Sequence, residues 1–290
     1  MVHCIRRYWT VAAIAGLLLA PASVSAQTIL ASAAAQVQTP GSQAPPPVPA
    51  EVPTLGRFEI SHYGNFVSNN FGQWYGGGLH LFLTPSPRVS LIGEAAYQRR
   101  PGEIEELGSF SGTFGLTDWF YLNLGVSGGG PDDPAAFFPR IRYDVNGTIK
   151  TNVPGLLLNG GWTRLYYGNP VSGRIARVGF VQYAGKVIFQ GNVNFSNSRP
   201  GNHKSISGTG AVQYGQEGHY WVGLIAGGGN ETWQTQGVFP ADVEFNGYNI
   251  SPFARTWLTP SFGMAATYTY FIKRAAYHYN GAEVRFFWQF

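Results

Sequence analysis

From Gly56 onward, apolar and polar residues alternate with period two in one short segment after another. In "RIRYDVNGTIKT", Ile141, Tyr143, Val145 and Ile149 share one face of an extended strand. Arg142, Asp144, Asn146, Thr148 and Lys150 share the other. In "WFYLNLGVSGG", Phe120, Leu122, Leu124 and Val126 oppose Tyr121, Asn123 and Ser127. In "SFGMAATYTYF", Phe262, Met264, Ala266, Tyr268 and Tyr270 oppose Thr267 and Thr269. The final segment, "VRFFWQF", puts Val284, Phe286, Trp288 and Phe290 on one face, while Glu283, Arg285, Phe287 and Gln289 lie on the other. Almost no stretch repeats at helical spacing. The pattern predicts about fourteen strands (about twelve is the alternative count), each long enough to cross a bilayer at a tilt.

A strand whose polar face carries Arg, Asp and Lys cannot turn that face to hydrocarbon, where a cation at the midplane costs about 2–4 kcal/mol. An open sheet edge in lipid would leave backbone groups unpaired, so the sheet must close. The expected fold is therefore all-β, a closed antiparallel transmembrane β-barrel. The connections agree. Tight turns at "LTPSPR", "LTDWF", "TNVPG", "YAGK", "YGQEGH" and "LTPSF" alternate with the polar stretches "RRPGEIEEL", "GGGPDDPAAFFPR", "SNSRPGNHK" and "NETWQTQGVFPADVE". Short turns on one side and long loops on the other are the habit of outer-membrane barrels. The recurring Leu-Thr pairs fit an internal repeat or, equally well, one turn type selecting similar residues. Trp119, Trp221, Trp257 and Trp288 at the short turns, with Trp74, Tyr167 and Tyr279 near the long loops, are expected to form two interfacial girdles.

Composition sharpens this picture. Charged residues make up 12% of the chain against about 25% in ordinary soluble domains, and glycine supplies 39 of 290 residues. The start, "MVHCIRRYWTVAAIAGLLLAPASVSA", has Arg6 and Arg7, then an apolar run, then small residues ending at Ala26. It reads as a secretory signal peptide over residues 1–26, too short and too interrupted by Pro21 for an anchoring helix. Residues 27–55 form a Pro/Ala/Gln-rich tract without periodicity, expected to be a disordered periplasmic leader. Residues 56–290 are the expected barrel. Removing residues 1–26 takes two of the 19 basic residues and none of the 15 acidic ones, so the formal charge falls from +4 to +2. That near-neutral balance points away from a nucleic-acid partner. Cys4 is the single cysteine and falls inside the signal, which excludes disulfides and thiol catalysis in the mature chain.

The candidate functional residues are the charged positions that alternation turns into the lumen: Glu94, Arg142, Asp144, Lys150, Arg255, Glu283 and Arg285. They could line a path, or pair and plug it. Catalytic, metal and cofactor sites are not expected. His3, His62, His80, His203, His219 and His278 are scattered without a close pair. His278, in "YHYNG", has no serine at a useful spacing and is taken as an interfacial residue. "GVSGGGPDD" lacks the lysine and following helix of a phosphate cradle, and Asp132 and Asp133 are taken as a solvated acidic loop.

Phe286, Trp288 and Phe290 resemble the C-terminal signal that the barrel-assembly machinery reads on outer-membrane barrels. "LIGEAAYQRR", "LTDWFYLNLGVSGGGPDDPAAFFPRIRYDVNGTI" and "LLLNGGWTRLYY" resemble the YaiO-type outer-membrane barrel family, with its charged strand at Glu94, its Trp119, and its Phe138-Pro139-Arg140. Many relatives carry helical repeats before the barrel, where this chain has the Pro-rich tract. The resemblance implies residence in the outer membrane of a Gram-negative bacterium, in contact with its lipids and lipopolysaccharide, with the leader and C-terminus in the periplasm. It also implies a structural role or one associated with surface-polysaccharide export. A narrow porin-like channel is the second expectation, and a barrel enzyme a distant third.

Overall fold

The structure is a computed structural model that describes residues 55–69, 72–130, 138–168, 170–234, 242–273 and 277–290. The expected signal peptide, nearly all of the expected leader, and Asp132 and Asp133 lie outside the described residues. The strands are β1 (Gly56–Val67), β2 (Gly72–Ser86), β3 (Val89–Arg100), β4 (Glu103–Gly115), β5 (Phe120–Gly128), β6 (Ile141–Lys150) and β7 (Leu156–Tyr166). They continue with β8 (Ser172–Ala184), β9 (Val187–Arg199), β10 (His203–Gln216), β11 (Tyr220–Gln234), β12 (Asp242–Trp257), β13 (Phe262–Lys273) and β14 (Tyr277–Gln289). Each pairs with its sequence neighbours, and β1 pairs with β14, giving a closed antiparallel barrel of fourteen strands.

Closure is complete down to the last residue. Gly56 N donates to Phe290 O at 2.9 Å, and Phe290 N donates to Gly56 O at 3.0 Å. Pairing of this kind leaves no sheet edge exposed, which is what hydrocarbon demands of a strand protein. Alternation then sorts the faces. Phe58, Ile60, Leu79, Leu81, Phe110, Leu124, Val145, Phe180, Val193, Val222, Ile250 and Val284 are exposed on the outer wall. Arg57, Glu59, Ser61, His80, Gln98, Arg100, Thr163, Gln190, Gln213 and Ser251 are buried within it.

Two expectations need correcting. "RRPGEIEEL" and "SNSRPGNHK" are not long loops. β3 and β4 stay paired to Arg100 and Glu103, and β9 and β8 to Arg199 and Ser172, while β10 pairs with β9 from His203. Their polar residues ride on strands that run on toward the hairpin tips, where a polar outward face carries no hydrocarbon penalty. The aromatic girdles are also different from those expected. Trp119 and Trp288 do point outward, 56% and 60% exposed. Trp74 and Tyr167 are each 4% exposed, because Trp74 has the parity of buried His80 and Phe82, and Tyr167 that of Thr163 and Leu165. Tyr279 packs inward against buried Phe271, Trp221 against the buried Leu157, Val181 and Ile188, and Trp257 edge-on to Phe287. Rings near a turn are thus divided between the membrane interface and the lumen by a single step of parity.

Candidate functional site

The lumen has two unlike walls. On β1–β4 and β12–β14 it is packed. Glu59, 1% exposed, stands at the centre of three guanidiniums: Arg57 Nε at 2.6 Å, Arg255 Nη2 at 3.0 Å and Arg285 Nη1 at 2.9 Å. Arg285 Nη2 also donates to Glu283 Oε1 at 2.8 Å. Two of these arginines lie over rings, Arg57 over Phe82 at 4.5 Å and Arg255 over Phe287 at 4.1 Å. Gly263 makes room for this arrangement, since a Cβ there would run into the Phe287 ring and the Thr256 carbonyl oxygen. Trp257 Nε1 donates to Gln289 Oε1 at 2.7 Å, and Gln289 Nε2 donates on to Glu217 in the β10–β11 turn. This end of the wall, nearest the paired Gly56 and Phe290, is closed by charge pairs and aromatic rings.

One step along the barrel, Glu94 on β3 accepts from His80 Nδ1 at 3.0 Å and from Ser109 Oγ at 2.8 Å. His80 Nε2 lies 3.5 Å from Ser61 Oγ. Hydroxyl, imidazole and carboxylate follow one another in the order of an acyl-transfer triad. The first link is at the outer limit of a hydrogen bond. Arg285, cross-strand from Ser61, has its terminal nitrogens committed to the two glutamates. The row therefore ties β1, β2, β3 and β4 together across the wall. At the far end of the same wall Arg100 lies over Trp74 at 4.0 Å, beside the buried cluster of Val67, Phe271 and Tyr277.

The opposite wall, β5–β11, is built from small polar groups and stays half-exposed through its middle. Asn123, Asn146, Asn159, Asn192, Asn194, Ser207 and Thr209 face inward there, all intermediate in exposure. Asn123 donates to Thr113 Oγ1 at 2.9 Å, and Asn146 to Asn123 at 3.4 Å. Glycines stand between the amides. At Gly179 a Cβ would collide with Asn192 Oδ1 and crowd Asn159 Oδ1. Apolar clusters bound this band, Leu157, Val181 and Ile188 on one side and Leu165 with Tyr167 on the other. Its charges are few. Arg142 grips Asp144 with a two-pronged fork, 2.7 and 2.8 Å, and Thr163 Oγ1 donates to the same carboxylate at 2.5 Å. Lys150 stands over the Tyr121 ring at 5.1 Å.

The residues singled out from the sequence thus divide between the walls. Glu94, Arg255, Glu283 and Arg285 lie in the packed wall, whereas Arg142, Asp144 and Lys150 lie on the amide wall. Phe286, Trp288 and Phe290 are outward, 47%, 60% and 57% exposed. Sequence reasoning missed Arg57, Glu59 and His80. The signal was present in "GRFEIS", where Arg57, Glu59 and Ser61 alternate with Phe58 and Ile60. Among the described residues no three His, Cys, Asp or Glu side chains converge to hold a metal. His278 is exposed, and its backbone N–H donates to Ser68 Oγ at 2.9 Å.

A closed fourteen-stranded barrel with an apolar belt and a polar lumen defines an outer-membrane β-barrel protein. Solved structures with the same fold include the Acinetobacter baumannii outer membrane protein Omp33, at 12% identity and TM-score 0.52, covering 82% of this chain and 100% of that one. The CymD monoaromatic hydrocarbon channel matches at 8% identity and TM-score 0.54, covering 82% and 89%. A bacterial polysaccharide outer membrane secretin matches at 9% identity and TM-score 0.52, covering 83% and 100%. At such identities the likeness is one of fold alone. No curated protein matches the chain. The family is shown by the sequence itself: the YaiO membrane beta barrel domain matches residues 56–234, and the chain belongs to that family.

Proposed function

We propose that this outer-membrane barrel serves the cell envelope in a structural role or one associated with surface-polysaccharide export, and not as a general diffusion pore. The observation that carries this reading is the division of the lumen. A wall of interlocked Arg, Glu and aromatic side chains fills one side, and a band of amides and hydroxyls is left half-exposed on the other. Fourteen strands make a barrel narrower than the 16–18-stranded porins with their aqueous channels, and the packed wall narrows it further. Side-chain amides and hydroxyls both donate and accept, as sugar hydroxyls do, so the open band has the chemistry of a glycan-contacting surface. The fold shared with a polysaccharide secretin is in keeping with this reading. A narrow channel for small solutes is the second reading, favoured by the same half-exposed band.

In this proposal the leader and C-terminus lie in the periplasm, the outward apolar belt meets lipid and lipopolysaccharide, and Phe286, Trp288 and Phe290 present the assembly signal to the barrel-assembly machinery. The test is single-channel conductance of purified, refolded protein, together with surface polysaccharide in a deletion strain. Small or undetectable conductance with reduced surface polysaccharide is expected. A large, stable, ohmic pore with unchanged polysaccharide would replace the reading with that of a porin.

A further inference from the structure

The two walls differ in charge as well as in packing. In the packed wall the arginines Arg57, Arg100, Arg255 and Arg285 are matched in number by Glu59, Glu94, Glu105 and Glu283, with Glu103 exposed at its hairpin tip. On the amide wall the described inward charges are Arg142, Lys150 and Arg177 against Asp144 alone. That carboxylate is already used. Both its oxygens take the Arg142 fork, and Oδ1 also accepts from Thr163.

Arg177, on β8, makes no salt bridge among the described residues, although Asp144 is near enough to attract it and Arg142 near enough to repel it. Its position is fixed by the sheet. It pairs across to Gly161 on β7 and Asn194 on β9, and Gly161 in turn pairs with Asn146 on β6. Gly161 has no side chain of its own, and the Asn146 amide fills the space beside it. On the other side Arg177 Nε donates to Asn194 Oδ1 at 2.9 Å, and Asn194 Nδ2 donates to Ser207 Oγ at 3.5 Å. This is the one hydrogen bond the guanidinium makes among the described residues, so its terminal nitrogens are left to the lumen. A guanidinium held at Nε, with its terminal N–H groups free, presents the two-pronged face that suits a carboxylate or a phosphate.

We infer that Arg177 is an anion-binding residue of the half-open lumen, and that the solute passing it bears carboxylate or phosphate groups among its hydroxyls. The inference rests on the polysaccharide reading for the rest of the solute, an acidic glycan, but not for the anion itself. In that division of labour Arg177 holds the acidic group while Asn146, Asn192 and Asn194 exchange hydrogen bonds with the neighbouring hydroxyls. Charge selects and amides allow sliding.

The test is calorimetric titration of the refolded, detergent-solubilised protein with an oligogalacturonate, a neutral maltohexaose and inorganic phosphate. The oligogalacturonate should bind at least tenfold tighter than maltohexaose. Arg177→Gln should lose that advantage, while Arg164→Gln, at the outer rim over Tyr166, should keep it. Heat-modifiable migration in gels confirms that both variants are folded. Equal binding of acidic and neutral oligomers, unchanged in Arg177→Gln, would overturn the anion site and leave the glycan reading standing. Phosphate bound as tightly as the oligogalacturonate, and lost in Arg177→Gln, would support the anion site while removing support for the glycan. No binding of any probe would overturn the inference.

Discussion

The β1–β4 and β12–β14 side of this barrel and its β5–β11 side are made from the same alternating pattern, yet one is filled and the other is not. The difference lies in what occupies the inward positions. Long side chains on the first side reach across to one another: Arg255 and Arg285 both come to Glu59, from 196 and 226 residues away in sequence. Short amides and glycines on the second side cannot span the gap, and they make hydrogen bonds only with immediate neighbours. A fixed strand count thus yields a narrowed lumen through side-chain length alone. The wall that supplies rigidity is separated from the wall that can face a solute.

The sharpest way to break this comparison is to remove the shared carboxylate. Glu59→Gln leaves three arginines around an uncharged amide in a site closed to water, and a buried pair stripped of one partner loses about 3–5 kcal/mol. The urea midpoint of the refolded barrel in detergent should fall accordingly. Asp144→Asn removes a charge of the same sign from the amide wall, where Arg142 can turn to water. That loss should be about 1.5–3 kcal/mol, the value of a hydrogen bond to a charged group. If the two variants fell by the same amount, the packed wall would carry no special weight. Smaller still is Asn192→Ala, which removes a half-exposed amide beside Gly179 and should shift stability by no more than about 0.5 kcal/mol.

Phe290→Ala should change the refolded protein least, because its ring is outward and more than half exposed while its backbone bonds to Gly56 remain. Its effect belongs to assembly. If the terminal aromatic is the insertion signal, outer-membrane levels in cells should drop sharply while refolding in detergent and heat-modifiable migration stay normal. Normal cellular levels would reduce Phe290 to a packing residue.

How far the molecule could be read from its sequence follows from the range of each signal. The strand count, the closure and the parity of β6 and β14 rest on period-two alternation, which is local and strong in "RIRYDVNGTIK" and "AEVRFFWQ". At "RRPGEIEEL" polarity marks emergence from the membrane and not the end of a strand. Nearness to loops points Trp74 and Tyr167 to the interface, whereas parity with their own strand neighbours sends them inward. The Glu59 cluster is only partly local: "GRFEIS" places Arg57 and Glu59 on one face, but Arg255 and Arg285 come from β12 and β14. Only the barrel's closure and stagger bring those two to the level of Glu59, and no local pattern encodes that meeting.

The division of the lumen is tested most directly by thiol reactivity, since the mature chain expected here has no cysteine of its own. Single cysteines at Asn192 and Asn194 on the amide wall, and at Ser61 and Gln98 on the packed wall, would be exposed in the folded barrel to a small, charged, water-soluble methanethiosulfonate. Tyr143 and Phe286, on the outer face, would serve as lipid-side controls with a membrane-soluble maleimide. We predict that the Asn192 and Asn194 positions react at least tenfold faster than Ser61 and Gln98, with Tyr143 and Phe286 labelled only from the lipid side. Equal rates on the two walls would contradict the account, for the lumen would then be evenly open or evenly closed.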